Sequence, residues 1–500
     1  MDFLDPKKRR AHTIRLFIGY GLVAVALLIG TAILALAAYG FDVNRKTGAV
    51  IQNGLVFVDA HPESANIYIN GMNKGKTDVR MVMPEGNYSI ELKRTGYRSW
   101  KNTFQLGGGL IERLVYPFLF PEKLITKDVH PYVSAPGLTT QSPDRHWLLI
   151  QSPASFASFD QFDLTTANSD ATSFSLPPNL LTASTGAQSL ELVEWSTDNR
   201  HLIVKHLYQG GLEYLLIDRT TSASSQNLTR LFSKPNVQFS LLDKKYDQYY
   251  LYDPVSQNLA SSDLKTKKIN SILDGVISFK PHGSNLILYV TNASATDKKV
   301  LVRVKSGQDN YTVGQLAKAD KYLIDVARFD NHWYMVAGSP ADGRTLIYRD
   351  PSDQLKDGKV QIPSPFVVLK QTSPQFVSFS ENTRFIEVQS ANLFAVYDLE
   401  TDRSIRFDSK LPTIPIKAVW MDGHRLMAPS EGKLVVFDFD GTNKQTLVDV
   451  SAGYLPFFDR DYKALFTISP SATAPGKSAL VRTELKVTAA TAKTSSSTNP

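Results

Sequence analysis

One pattern recurs eight times between residues 130 and 487. It consists of an aromatic residue, a polar turn, an apolar strand-like run, and a second apolar run that ends in aspartate and another turn. The clearest copies are WSTDNRHLIVKHL from Trp195, followed by YLLIDRTT; FSENTRFIEVQS from Phe379, followed by LFAVYDLETDR; and WMDGHRLMAPS from Trp420, followed by LVVFDFDGTN. Weaker copies begin near Ser142, Phe239, Phe279, Phe329 and Phe458. The spacing of roughly 38 to 54 residues is the length of a four-stranded unit, and no helical period of useful length runs through it. The bulk of the chain is therefore expected to be an all-β repeat array.

In the S-x-D turn and the strand-end Asp, the copies resemble WD-repeat-like and TolB-like β-propellers. Eight copies predict eight blades, with seven as the alternative if the first and last copies share one blade. Aspartates at Asp163, Asp218, Asp253, Asp263, Asp350, Asp398 and Asp438 recur in register. A carboxylate repeated in every unit has a structural task, accepting backbone N–H bonds in the turn that follows. A catalytic carboxylate would be unique to one unit.

Ahead of the array, residues 16–41 read LFIGYGLVAVALLIGTAILALAAYGF without a charge. A helix of about 26 residues is about 39 Å long, enough to cross a ~30 Å hydrocarbon core. Lys7, Lys8, Arg9, Arg10 and Arg15 precede it, so the positive-inside bias predicts a cytoplasmic N-terminus and an exported remainder. Ala35-Leu36-Ala37 has the small-x-small form of a leader cleavage site, but the apolar run is too long for a leader core. An uncleaved, single-pass anchor is expected.

The net charge of +7 does not point to nucleic acid. The first fifteen residues carry five basic against two acidic side chains, and the long remainder has no basic stripe. Cysteine is absent, which excludes disulfides, thiol catalysis and thiolate metal sites.

Between anchor and array, residues 42–53 read as a polar juxtamembrane linker with room for one short strand. Residues 54–106 then alternate with a period of two between turns, with expected strands at 55–58, 66–69, 88–92 and 100–106. Asn70-Gly71 is a strong hairpin signal. Pro62, Ala65, Tyr68-Ile69-Asn70-Gly71, Gly75, Pro84-Glu85-Gly86-Asn87-Tyr88, Gly96-Tyr97 and Trp100 together resemble a PEGA domain, with Asn87 in place of the motif's alanine. The resemblance implies a small β-sandwich of the kind found in prokaryotic surface and envelope proteins, and no activity. Its motif residues Gly71, Pro84, Glu85, Gly86, Tyr88, Gly96, Tyr97 and Trp100 are read as structural: the glycines supply turns, and Tyr68, Tyr88, Tyr97 and Trp100 are expected in the core before any sugar-stacking surface. Gly71 to Thr77 has too few residues between its glycines for a phosphate loop. Gly107-Gly108-Gly109 reads as a flexible hinge, and residues 110–129 as an extended lead-in broken by Pro117 and Pro121.

Catalytic constellations are not found. His201 and His206, five apart on one strand, point to opposite faces and cannot chelate together. Asp438-Phe439-Asp440-Gly441 lacks the further carboxylates of a calcium loop, and G-x-S-x-G is missing. Asn87, Asn227, Asn292 and Asn310 open glycosylation sequons, and the Ala/Thr/Ser-rich tail from Thr488 is expected to be disordered. The sequence thus predicts an all-β ectodomain with one N-terminal transmembrane helix, a small PEGA-like β-sandwich and a seven- or eight-bladed β-propeller at 130–487. The function expected is non-enzymatic, without cofactor or metal: a membrane-anchored envelope protein presenting the propeller to a protein, peptide or wall polymer. A sensor or regulatory subunit of a membrane complex is the alternative, and a propeller glycosidase or lyase a third class.

Overall fold

The computed structural model describes residues 6–43, 48, 50–166, 170–293, 298–356, 362–411 and 417–487, so the tail expected to be disordered lies outside the described residues. The chain divides into two units, one holding residues up to Lys123 and the segment from Val487, the other Leu124–Lys486.

Helix α1 (Pro6–Ala38) has 33 residues, about 50 Å of length. It is long and apolar enough to cross a membrane, and its apolar stretch Arg9–Ala38 is not buried in the protein. The expected span ended at Phe41, but the helix stops earlier. Gly40 takes φ +82°, the left-handed conformation that closes helices, and its N–H bonds the Ala37 carbonyl. Lys7, Lys8, Arg9, Arg10 and Arg15 belong to the first turns of this helix and not to a separate flank.

The same unit holds two sheets. Its strands are β1 (Phe41–Val43), β2 (Val50–Val58), β3 (Asn66–Ile69), β4 (Met72–Lys76), β5 (Val79–Pro84), β6 (Gly86–Lys93), β7 (Trp100–Leu106) and β8 (Ile111–Leu114). β5, β2, β1 and β8 form one sheet, and β4-β3-β6-β7 the other. Alternation buries Val56, Val58, Ile67, Ile69, Ile90 and Leu92. Of the segment read as a linker with room for one short strand, the described residues Asp42, Val43 and 50–53 are strand, with β1 antiparallel to the start of β2 and Phe41 opposite Gln52. The glycine run is no hinge: Gly109 turns at φ +70°, its N–H bonds the Asn53 carbonyl at 3.0 Å, and β8 returns parallel to β2.

Leu124–Lys486 forms eight successive four-stranded antiparallel sheets. Sheets 1 to 7 each use four consecutive strands, over residues 139–175, 188–227, 238–273, 276–317, 323–370, 376–408 and 419–449. Sheet 8 takes three strands from residues 457–484, and its fourth is β9 (Ile125–Tyr132), from the other end of the unit. Tyr132 pairs with Ser478 and Ile125 with Glu484, so the array begins before the expected residue 130. Each of the eight aromatic or Ser142 repeat starts lies in, or directly after, the first strand of one sheet.

Apolar cores join each sheet to the next from sheet 1 to sheet 7. Leu149 and Phe159 of sheet 1 meet Trp195 and Val204 of sheet 2. Successive clusters join sheets 2 and 3 through Ile203 and Phe239, 3 and 4 through Tyr250 and Ile287, and 4 and 5 through Leu288 and Met335. Val336 and Val388 join sheets 5 and 6, and Phe394 and Leu426 join 6 and 7. Between sheets 7 and 8, Ser469 Oγ donates to the Asp449 carbonyl at 2.6 Å. Sheet 8 packs on sheet 1 through Phe466 and Leu148. Second strands are buried nearly throughout, as from Leu148 to Gln151 in sheet 1, while fourth strands such as Thr172–Ser175 are mostly exposed.

Candidate binding groove along the first strands

The repeated turns position the first strands. In sheet 1, Ser142 and Asp144 bond each other, and Asp144 accepts the His146 N–H at 3.1 Å around Arg145 at φ +58°. Asp198, Asn382 and Asp422 repeat this in sheets 2, 6 and 7, accepting from Arg200, Arg384 and His424. The strand-end aspartates accept from the turns after them: Asp163 from Thr165, Asp218 from Thr220 and Thr221, Asp253 from Val255, Asp263 from Thr266 and Asp398 from Glu400. Asp350 differs. It accepts the Trp333 N–H across its hairpin at 2.8 Å, and the Asp438 side chain takes the Asn443 amide.

An arginine or histidine at the start of the second strand meets several of these carboxylates. His146 lies 3.1 Å from Asp163, Arg200 grips Asp218 with Nε and Nη2, Arg384 does the same to Asp398, and His332 reaches Asp350. Burial works to raise the Asp218 carboxyl, but the bonds from Arg200, Thr221 and Thr220 outweigh it and hold it well below the usual carboxylate range. Sequence reading found the aspartates and missed these partners; His146, Arg200 and Arg384 each stand one residue before a second strand, which was the available signal, and His332 opens its strand.

Turns of neighbouring sheets also bond one another. Asn199 accepts the Asp144 N–H at 3.1 Å, Thr383 donates to the Arg328 carbonyl at 2.8 Å, and Tyr462 donates to the Met421 carbonyl at 3.0 Å. Arg145 of sheet 1 makes the longest reach. It stacks on the Tyr462 ring at 4.6 Å, donates to the Met421 carbonyl at 3.1 Å and pairs with Glu381, touching sheets 8, 7 and 6.

A groove follows the first strand of sheet 2 (Gln188–Trp195). At one end a cleft of about 570 Å³ is lined by Leu138, Gln151, Ser152, Phe156, Gln188, Ser189 and Tyr454, from sheets 1, 2 and 8. It shares Glu191 and Leu192 with a second cleft of about 300 Å³ that reaches Gln238, Ser240 and Phe279. That one in turn shares Val193, Ser240 and Phe279 with a third, about 470 Å³, ending at Lys244, Lys280 and His282. The lining is rich in amides and hydroxyls with ring faces between them. Its charges are paired: Glu191 with Lys205 at 2.7 Å, Glu194 with Lys244, and Lys280 with Asp325 at 3.2 Å.

Behind the first cleft lies a polar network that the sequence did not disclose. Glu213, buried on the third strand of sheet 2, receives His206 Nδ1 at 2.9 Å and the Thr182 N–H, Thr182 Oγ1 and Asn227 Nδ2 at 2.7 Å each. His206 Nε2 meets the Gln188 amide of the cleft wall at 3.1 Å. Burial would raise the Glu213 carboxyl, but His206, Thr182 and Asn227 overcome this and bring it down to about 2. His201 is held elsewhere, between Asp198 at 2.6 Å and the Tyr246 ring, so the two histidines share no site. Asp440 accepts the Thr442 N–H and hydroxyl within its own hairpin turn. No cluster of three metal-ligating residues occurs among the described residues.

In the small unit, Gly71 and Gly96 take φ +80° and +79° in turns, and Gly86 opens β6. Glu85 donates its N–H to the Gln52 carbonyl at 3.0 Å. Tyr97 and Trp100 are buried, Trp100 edge-on to Tyr116. Tyr68 and Tyr88 were also expected in the core; Tyr68 alternates with Ile67 and Ile69 and is half-buried on the outer face, whereas Tyr88 shares the face of Ile90 and Leu92 and is half-buried beside Phe104. Tyr88 donates to the Pro84 carbonyl at 2.7 Å, and Lys93 lies over the Tyr68 ring.

No curated protein matches the chain in sequence. An oligogalacturonate lyase in complex with manganese is similar over 73% of this chain and 98% of its own, at 11% identity and a TM-score of 0.39. Dihydro-heme d1 dehydrogenase NirN in complex with DHE is similar over 64% and 66%, at 13% identity and 0.38, and a chain of a mitotic checkpoint complex over 73% and 96%, at 10% and 0.33. At these scores none of them speaks to activity. Residues 53–110, the strands from β2 to the turn before β8, match the PEGA domain family.

Proposed function

We propose that this is a membrane-anchored surface protein whose Leu124–Lys486 unit is a closed, eight-bladed β-propeller that binds an extended polar ligand, a wall polymer, in its axial groove. On this reading residues 1–15 are cytoplasmic, α1 spans the bilayer, and the small sandwich and the propeller stand outside. The shared cores and the pairing of β9 into sheet 8 support the closed ring. The apolar helix, its basic start and the PEGA match support the anchored, external placement.

The observation that carries the binding proposal is the groove itself, continuous along Gln188–Trp195 and lined by amides, hydroxyls and the rings of Phe156, Phe279 and Tyr454. Such a lining suits a neutral, hydrogen-bonding chain with apolar ring faces. Because Glu191 and Glu194 are each held by a lysine, the groove is read as a place of binding and not of acid–base turnover.

The test is cosedimentation of the full-length protein, in detergent, with insoluble wall polymer from the source cells. Ser189→Trp fills the first cleft and Phe156→Ala removes a ring; both are expected to release most of the bound protein, and Val255→Ala to release none. Wild type that does not sediment, or variants that sediment equally, would defeat the polymer reading and direct the search to protein ligands by crosslinking in membranes.

The alternative of a regulatory subunit is favoured by one observation, the absence of slack between α1 and the sandwich: Asn53 donates to the Gly40 carbonyl at 2.8 Å. Replacing residues 16–38 by an unrelated apolar helix leaves a tethered binding protein working and disables a regulator.

A further inference from the structure

The sheet of β1, β2, β5 and β8 has one face on the core and one outside. Gly54, Val56, Val58, Met83 and Leu114 point inward. On the outer face the register sets two rows. Val82, Leu55 and Ile111 lie side by side, and next to them Arg80, Phe57 and Arg113. Val82 is 68% and Ile111 53% exposed, and Leu110 beside them 61%. Two large apolar side chains this exposed on one small sheet, with a third in the loop beside it, mark an interaction surface. Arg113 lies over the Phe57 ring at 5.3 Å, adding cationic groups to the same face.

The position of this face identifies its occupant. Gly40, where α1 has just ended, stands opposite Asn53 on β2, and Gln52 Nε2 donates to the Tyr39 carbonyl at 3.2 Å. β2 runs antiparallel to β1, so beyond Asn53 it passes back alongside the helix end. Ala37, Ala38 and Phe41 accordingly share a concavity of about 590 Å³ with Leu55, Val82, Leu110 and Ile111. The apolar rows are thus continuous with the apolar surface of α1.

We infer that this outer face is a second membrane contact: it rests on the bilayer interface, with Leu55, Val82, Leu110 and Ile111 at the headgroup boundary and Arg80 and Arg113 on lipid phosphates. The inference rests on the reading of α1 as a membrane span. It makes the small unit a foot that adds a bilayer contact of its own to the hold that Asn53 and Gln52 have on the end of the helix. An amphipathic face with arginines flanking apolar residues matches anionic lipid better than a protein partner of either charge.

The chain has no cysteine, so single labelling sites can be introduced cleanly. Full-length Val82→Cys and Ile111→Cys, carrying an environment-sensitive fluorophore, are reconstituted into vesicles of phosphatidylcholine and phosphatidylglycerol. Leu27→Cys in α1 and Met72→Cys on β4 of the other sheet serve as references; both native side chains are exposed. Lipids with a doxyl group near the headgroup are expected to quench Val82→Cys and Ile111→Cys, deep doxyl groups Leu27→Cys, and neither Met72→Cys. Arg80→Glu with Arg113→Glu reduces the quenching at Val82→Cys. If Leu27→Cys is quenched while Val82→Cys and Ile111→Cys behave like Met72→Cys, the foot is refuted and the anchor stands. If Leu27→Cys is not quenched, the anchor itself fails, and the foot with it.

Discussion

Glu213→Ala is the substitution with the most calculable consequence. The carboxylate is 3% exposed and accepts from His206, from the Thr182 N–H and hydroxyl, and from Asn227. It thereby ties the segment before sheet 2 to the third and fourth strands of that sheet. Folding lowers this carboxyl from an ordinary 4.5 to about 2. A depression of that size corresponds to about 3 kcal/mol of stability. Because the folded value lies below the unfolded one, the contribution is complete above pH ~4.5, declines as the pH falls, and is gone below pH ~2. Alanine also leaves the buried donors without an acceptor, so the expected loss at pH 7 is about 3–5 kcal/mol. Urea titration of the full-length protein in detergent, followed by tryptophan fluorescence, reports it, since Trp195 is buried in the core shared by sheets 1 and 2. The gap between wild type and variant should narrow as the pH is lowered toward 2. An unchanged midpoint at pH 7, or a gap that does not depend on pH, would refute the reasoning.

Three further outcomes follow from the same geometry. Glu387 is fully buried, with Ser378 on one oxygen and no partner on Oε1, and burial pushes its carboxyl up to about 8. A raised carboxyl makes the fold lose stability as the pH climbs from about 4.5 to about 8, so Glu387→Gln should overtake wild type by a few kcal/mol at pH 9 and match it near pH 4, as read by urea midpoints. Arg145→Ala removes the contacts to Glu381, Met421 and Tyr462, and hydrogen exchange is expected to quicken in β9 and residues 457–470 before any other part of the array. Trp100→Ala empties the small core, where the ring is 1% exposed, and should cost about 3–5 kcal/mol, seen as early proteolysis of residues 41–123.

The repeats were legible because most sheets spell the same local physics: an aromatic in the first strand (absent from sheet 1), a polar turn, an apolar second strand and, in sheets 1, 2, 3, 5, 6 and 7, an aspartate at or directly after the end of the third. Asp253 ends a second strand and stands outside that register. Strand β9 was not, because Ile125–Tyr132 carries charged and polar residues and its partner lies some 350 residues on, at Ser478–Glu484. β1 and β8 escaped for a related reason. Both are short, and pairing with β2 alone makes them strands, so the polar residues before Val50 read as a linker and the glycines before Leu110 as a hinge. The groove draws on residues from several sheets, and the Glu213 network on all four strands of sheet 2 and the segment before it, which only the folded array brings together. The turn aspartates were visible because their partners lie within a few residues.

The account turns on the array standing outside a membrane that α1 crosses. Val255, between strands of sheet 3, is 82% exposed, and the chain has no other cysteine to confuse a Val255→Cys label. Spheroplasts carrying this variant would be treated with a membrane-impermeant maleimide before and after lysis. Full labelling of intact spheroplasts is predicted; labelling that needs lysis would place the array in the cytoplasm and contradict the account.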